Sequence, residues 1–169
     1  MRYRGFEKVN YQEFVKTFFG KVDFLEQSYQ EFPLPKRATS HSAGYDFYSL
    51  FDFRLAPGES IIIPTGVKAY MQKEEFLAIY IRSGAGIKYG IGLKNQVGII
   101  DQDYYNNDQN DGHIMIGLTN FGNQIWEIKK GDAFAQGVFQ KFLLVDDDNF
   151  TYGAKRIGGF GSTNKEEKL

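Results

Sequence analysis

Cysteine is absent from this chain. No disulfide can staple it and no thiolate can hold a metal, so zinc-built and disulfide-built folds are excluded and the redox state of the compartment is irrelevant. Histidine is nearly as scarce. His41 and His113 are the only two, they lie far apart, and neither has the spaced partners of a metal site, so both read as structural. Charge of one sign is lacking as well. With 20 Lys and Arg against 21 Asp and Glu, the net charge is −1; no global field draws the protein to nucleic acid or a membrane surface, and any anion site must be local. No run approaches the roughly 20 apolar residues of a membrane span. The first seven residues, Met1-Arg-Tyr-Arg-Gly-Phe-Glu7, lack the apolar run of a secretory signal. These absences point to a cytoplasmic protein with neither nucleic acid nor membrane as partner.

The 169 residues suit one domain with a true core. Nineteen Gly, 16 Phe and 11 Tyr predict many turns between aromatic-rich strands, hence a mainly β fold. A first strand is expected over residues 2–8. Asn10, with Glu13 three residues on, forms a helix N-cap and capping-box signal. Tyr11, Phe14, Val15, Phe18, Val22 and Leu25 recur at helical spacing, predicting a helical segment around 11–27 that Gly20 weakens. Phe32-Pro-Leu-Pro-Lys36 then breaks regular structure. Strands follow near 44–50, 59–63, 66–71, 76–82, 92–95, 97–100, 113–120, 124–129 and 133–145, a cadence of short strands that suggests a sandwich, jelly roll or barrel. Residues 106–112, Asn-Asn-Asp-Gln-Asn-Asp-Gly, and 146–149, Asp-Asp-Asp-Asn, read as solvated polar loops. The acid-rich run lacks the Asp-x-Asp-x-Asp-Gly pattern of a Ca²⁺ loop.

Three stretches carry chemistry. Val97-Gly-Ile-Ile-Asp-Gln-Asp-Tyr-Tyr105 delivers Asp101 to the end of an apolar strand, where it either opens a turn or faces a ligand. Arg82-Ser-Gly-Ala-Gly-Ile-Lys-Tyr-Gly90 places a cation, a hydroxyl and close-set glycines after a strand. That reads as a phosphate cradle or equally as a plain turn, and it fits neither the Walker nor the dinucleotide-binding spacing. Arg156-Ile-Gly-Gly-Phe-Gly-Ser-Thr163 repeats those ingredients with an aromatic, suited to stacking on a base and gripping phosphates.

Taken in order, Ala43-Gly-Tyr-Asp-Phe-Tyr-Ser49, Arg82 to Ile91, Gly98-Ile-Ile-Asp-Gln-Asp-Tyr104, Gly131-Asp-Ala-Phe-Ala-Gln136 and Gly159-Phe-Gly-Ser-Thr163 resemble the five motifs of the trimeric dUTP pyrophosphatase (dUTPase) family. The resemblance implies a jelly-roll-like β-barrel over residues 1–152 with the helical insertion at 11–27, and a Gly-rich arm, 153–169, that closes over the site. It further implies a homotrimer with active sites between subunits, turning dUTP into dUMP and pyrophosphate.

The same resemblance assigns roles. Asp101 would be the general base that activates water against the α-phosphate. Arg82, Ser83 and Gly84 would bind phosphates from a neighbouring subunit, joined by Gln136. Asn95 and Gly98 would form the uracil pocket, and Tyr104 would lie under the deoxyribose. Phe160 would cap the uracil, with Arg156, Ser162 and Thr163 at the γ-phosphate. Mg²⁺ would be bound through the triphosphate with no direct protein ligand, Asp46 meeting one of its waters.

The chain departs from the family pattern at three places. Tyr105-Asn106 stands where a hairpin glycine is usual, Lys155 occupies the common position of the tail arginine, and Asn164 replaces a closing glycine. Two other readings fit the same motifs: a dCTP deaminase-like enzyme, for which the motifs supply no suitable glutamate, and a non-catalytic nucleotide-sensing homologue. The latter would engage a protein partner through the N-terminal helix or the 106–112 insert.

Overall fold

Helix α1 (Tyr11–Phe18), which follows strand β1 (Gly5–Lys8), starts because Asn10 is held in an extended conformation and its side-chain oxygen accepts from the Glu13 N–H at 2.9 Å. Its Phe14 and Phe18 lie one turn apart, stack with ring centroids 4.5 Å apart and are fully buried. The capping box is only half formed. The Glu13 carboxylate turns inward to His113, and the Asn10 N–H donates instead to Asp111 at 2.6 Å. Gly20, at φ +75°, lies in the break before a second helix, α2 (Leu25–Glu31). The computed structural model describes residues 2–148.

The strands run β2 (Lys36–Arg37), β3 (Tyr45–Tyr48), β4 (Phe53–Leu55), β5 (Ser60–Pro64), β6 (Val67–Tyr70) and β7 (Glu75–Ile81). Helix α3 (Ser83–Tyr89) follows, then β8 (Ile91–Leu93), β9 (Gly98–Asp101) and a single 3₁₀ turn (Gln102–Tyr104). The series ends with β10 (Met115–Asn120), β11 (Trp126–Ile128) and β12 (Ala133–Lys141). The largest sheet has the order β2-β3-β12-β7-β9; a three-stranded sheet has the order β5-β10-β8, and β1-β6 and β4-β11 are two-stranded. The fold is mainly β. A jelly-roll-like barrel was the expectation, yet among the described residues no ring of ladder hydrogen bonds closes around the four sheets.

One core lies between the sheets and under α1. Phe47, Leu77, Ile79 and Phe134 come from the large sheet, Ile63, Ile116 and Leu118 from the three-stranded one. Gly137 sits where β12 crosses the middle: a Cβ there would lie 3.0 Å from both Leu77 and Phe47. A larger residue there would press the Leu77 and Phe47 side chains outward by a few tenths of an ångström.

Two readings of the sequence are corrected. Residues 83–89 form a helix rather than a glycine-rich loop, ended by Gly90 at φ +67°. Residues 106–112 are a loop that is only partly solvated, with Asn106, Asp108 and Gln109 exposed. Asn107 is buried, its amide donating to the Tyr104 carbonyl and to Asn110, each at 2.8 Å, and Asp111 accepts from the buried Lys68 at 2.8 Å. Asn106 adopts the left-handed conformation, φ +56°, and its side chain accepts from Lys68 at 2.6 Å. An Asn tolerates the backbone that a glycine would otherwise supply.

Candidate active site

Strand β9 is an edge of the large sheet and β8 an edge of the three-stranded one. The hairpin 94–97 joins them, turning through Gln96 at φ +62°, but the two strands share no ladder. Between them opens a pocket of about 390 Å³, lined by Leu93, Asn95, Gly98, Ile99, Ile100 and Tyr104, among others. Edge strands carry unpaired backbone N–H and C=O groups, so this pocket offers main-chain donors and acceptors in an apolar surround. Gly98 shapes its wall: a Cβ there would stand 3.0 Å from Ile79 and 3.9 Å from the Asn95 amide nitrogen.

Tyr104 is returned to the pocket by the 3₁₀ turn that follows Asp101. Its ring is buried, and both roles of its hydroxyl are used, donating to the His113 carbonyl at 2.8 Å and accepting from the Asn110 amide at 2.7 Å. Tyr105, beside it, bonds to Glu7 at 2.5 Å; burial first, and that bond second, push its hydroxyl up to about 12. Asp101 is half-buried at the end of β9, next to the pocket rather than in its wall. Strand alternation sends its side chain to the face opposite Gly98 and Ile100.

A second cluster lies at the other end of the large sheet. Asp46 on β3 pairs directly with Gln136 on β12, so their side chains share one face. Arg82, at the N-cap of α3, is anchored twice: Nε to the buried Asp46 carboxylate and Nη1 to the Ala133 carbonyl, both at 3.1 Å. The rest of its guanidinium is turned outward, the side chain being 42% exposed. Ser83 and Gly84 are exposed beside it. Gln136 donates to the Ile81 carbonyl at 3.2 Å, and its amide oxygen occupies the space that any side chain at Gly44 would need.

The register measures the gap between the clusters. Gln136 pairs with Tyr80 on β7, and Asp101 pairs with Phe76, four residues along the same strand. Asp101 and Gln136 therefore share a sheet face but are about 16 Å apart, from four residues along and two strands across. Asn95, Gly98 and Tyr104 are brought together, and so are Asp46, Arg82 and Gln136. The two groups do not meet within one chain. Arg156, Phe160, Ser162 and Thr163, with Lys155 and the whole 153–169 arm, lie outside the described residues.

A dUTPase family model matches residues 30–164. The chain belongs to the dUTPase family. It is 49% identical over 130 residues to the deoxyuridine 5'-triphosphate nucleotidohydrolase of Lactococcus lactis subsp. lactis (strain IL1403), a match covering 77% of this chain and 87% of that one. Among solved structures it is similar to the dUTPase from Streptococcus mutans, with a TM-score of 0.65 at 39% identity over 84% of this chain and 98% of that. It shares its fold with the D95N mutant dUTPase of phage phi11 of S. aureus, with a TM-score of 0.61 at 17% identity over 95% and 99% of the two chains. That structure concerns the coordination of a structural Mg(II) ion.

The family region starts at residue 30, so β1, α1 and most of α2 precede it. Sequence reasoning missed the far wall of the pocket, Ile62 on β5 and Met115 on β10, because nothing local marks an apolar strand residue as facing a ligand. Lys94 could have been found, since it directly precedes Asn95 at the pocket mouth.

Proposed function

We propose that this chain hydrolyses dUTP to dUMP and pyrophosphate, keeping uracil out of DNA and supplying dUMP for dTMP synthesis. The observation that carries this reading is the pocket between edge strands β8 and β9, with Asn95, Gly98 and Tyr104 in its wall and Asp101 at its rim. A uracil ring presents one N–H and two carbonyls along its edge. Unpaired strand groups and the Asn95 amide match that pattern, as main-chain pairing does when a peptide joins a sheet edge. The Tyr104 ring lies under the deoxyribose and leaves no space for a 2′-hydroxyl.

Mg²⁺ would enter with the substrate and would offset the negative charge of the triphosphate, with no direct protein ligand. Among the described residues no three His, Cys, Asp or Glu are grouped to hold a metal. Asp46 gives Oδ1 to Arg82, leaving Oδ2 for one of the ion's waters.

Asp101 accepts a proton as water attacks the α-phosphorus. The new P–O bond forms as the bond from the α-phosphorus to the α,β-bridging oxygen breaks, and pyrophosphate leaves. Arg82, Ser83, Gly84 and Gln136 bind the phosphates. The 16 Å estimate supports taking these from a neighbouring subunit of a homotrimer, since one α-phosphate cannot touch both clusters of one chain. Arg156, Ser162 and Thr163 at the γ-phosphate, and Phe160 over the uracil, complete the site as the 153–169 arm closes over the 1–152 domain.

Pyrophosphate release measured across dUTP, dTTP, UTP and dCTP tests the reading, with dUTP expected to be cleaved far faster than the rest. Asp101→Asn should lower kcat by about 10³-fold or more while calorimetric binding of dUTP persists. Wild-type turnover in that variant, or ammonia release from dCTP, would overturn the assignment.

A further inference from the structure

The inward turn of Glu13 links a segment outside the family region to the floor of the pocket. His113 is fully buried, and the Gly66 N–H donates to its Nε2 at 2.8 Å. With Nε2 accepting, the neutral ring carries its proton on Nδ1 and donates it to Glu13 Oε1 at 3.1 Å. The same carboxylate oxygen accepts from the Thr17 hydroxyl at 3.0 Å, one helical turn further on. Glu13 is therefore aimed from two sides, and it is itself 7% exposed. Beyond the ring, the His113 carbonyl is the acceptor for the Tyr104 hydroxyl. A second tie, Asp111 to the Asn10 N–H, docks the start of α1 onto the same loop.

We propose that Glu13, acting through His113, is a positioning residue that fixes the tilt of Tyr104 and so sharpens selection for the deoxyribose. This rests on the reading of Tyr104 as the residue beneath the sugar. A ring that must exclude one hydroxyl discriminates only if it cannot yield, and the Tyr104 hydroxyl is held at its far end by a carbonyl whose own residue is fixed by α1. Without Glu13 the buried Nδ1–H has no acceptor, His113 shifts to find one, and its carbonyl moves with it. Glu13 touches neither substrate nor reacting atoms, so the chemical step is unaffected.

Steady-state pyrophosphate release from dUTP and from UTP decides the matter, with folding followed by circular dichroism. Glu13→Ala should raise KM for dUTP about tenfold, leave kcat within about twofold, and reduce the dUTP-over-UTP preference about tenfold. Thr17→Val, a milder change that removes one of the donors to the carboxylate and leaves His113 and Lys16, should move KM and preference the same way by about threefold. Glu13→Gln keeps an acceptor for Nδ1–H and should restore both.

A merely structural role would lower the melting temperature and leave KM and preference unchanged in the folded protein; that result in either Glu13→Ala or Thr17→Val overturns the proposal. Should Glu13→Ala fail to fold, Thr17→Val decides alone. A wild-type protein inactive on dUTP sinks the functional reading and this proposal with it. Activity on dUTP with unchanged variants sinks this proposal only.

Discussion

His113 sets the acid limit of this protein before any carboxylate does. Burial holds its ring below the ordinary value of 6.5, with Glu13 opposing the shift and Asp111 and Lys16 adding smaller effects of opposite sign. The folded state therefore resists a proton that the unfolded chain accepts. Its contribution is full above pH 6.5 and is lost as pH falls from there through the lower folded value. Glu7, lowered chiefly by the Tyr105 hydroxyl, and Glu75, lowered chiefly by Arg4, act the same way further down, losing their contribution below 4.5. Urea denaturation at a series of pH values should show two successive declines, and His113→Asn should abolish the upper one. At the other cluster, Gly44→Ala should displace the Gln136 amide, a flexible group, at little cost in stability. Because Gln136 is assigned to the phosphates, KM for dUTP should rise several-fold, about 3- to 10-fold, as initial rates would reveal.

Among the elements, the turn at 105–112 carries the most stored commitment. Asn106 combines a left-handed backbone with an acceptor for the buried Lys68. Asn106→Ala loses both, and should destabilise by about 2 kcal/mol, read as a downward shift of the melting temperature of about 4–8 °C at fixed protein concentration. The sequence revealed this position as a departure from the family pattern but not the lysine that holds it, because Lys68 lies 38 residues away on β6. Strand alternation and the Asn10 signal were legible because they depend on neighbours in the chain. Helix α3 was not: Ser83-Gly-Ala-Gly has poor helix propensity, and the helix forms because Ala85 is buried and Gly86 fits closely beneath Ile81 and Ile91. Strand β4 escaped for a related reason, since its three residues are defined by pairing with β11. The motifs located both halves of the site in the sequence; the distance between the halves came only from the register.

For the whole molecule that distance has a measurable outcome. If Asp101 of one subunit serves the phosphate group of the next, inactive Asp101→Asn and Arg82→Ala proteins should regain activity when unfolded together and reassembled. Random mixing at equal ratio leaves about one site in four with both wild-type residues, so roughly a quarter of wild-type turnover is expected; none would be regained if each chain held its own complete site. The facing edges of β8 and β9 bear on a different observable. Every second amide of β9 points away from β7, toward a pocket where, among the described residues, no strand receives it. In deuterated buffer these hydrogens should be replaced quickly in the empty protein and slowly once a non-cleavable uracil nucleotide fills the gap. The base would act as the missing rung between two sheets, and its residence could be timed from the backbone alone.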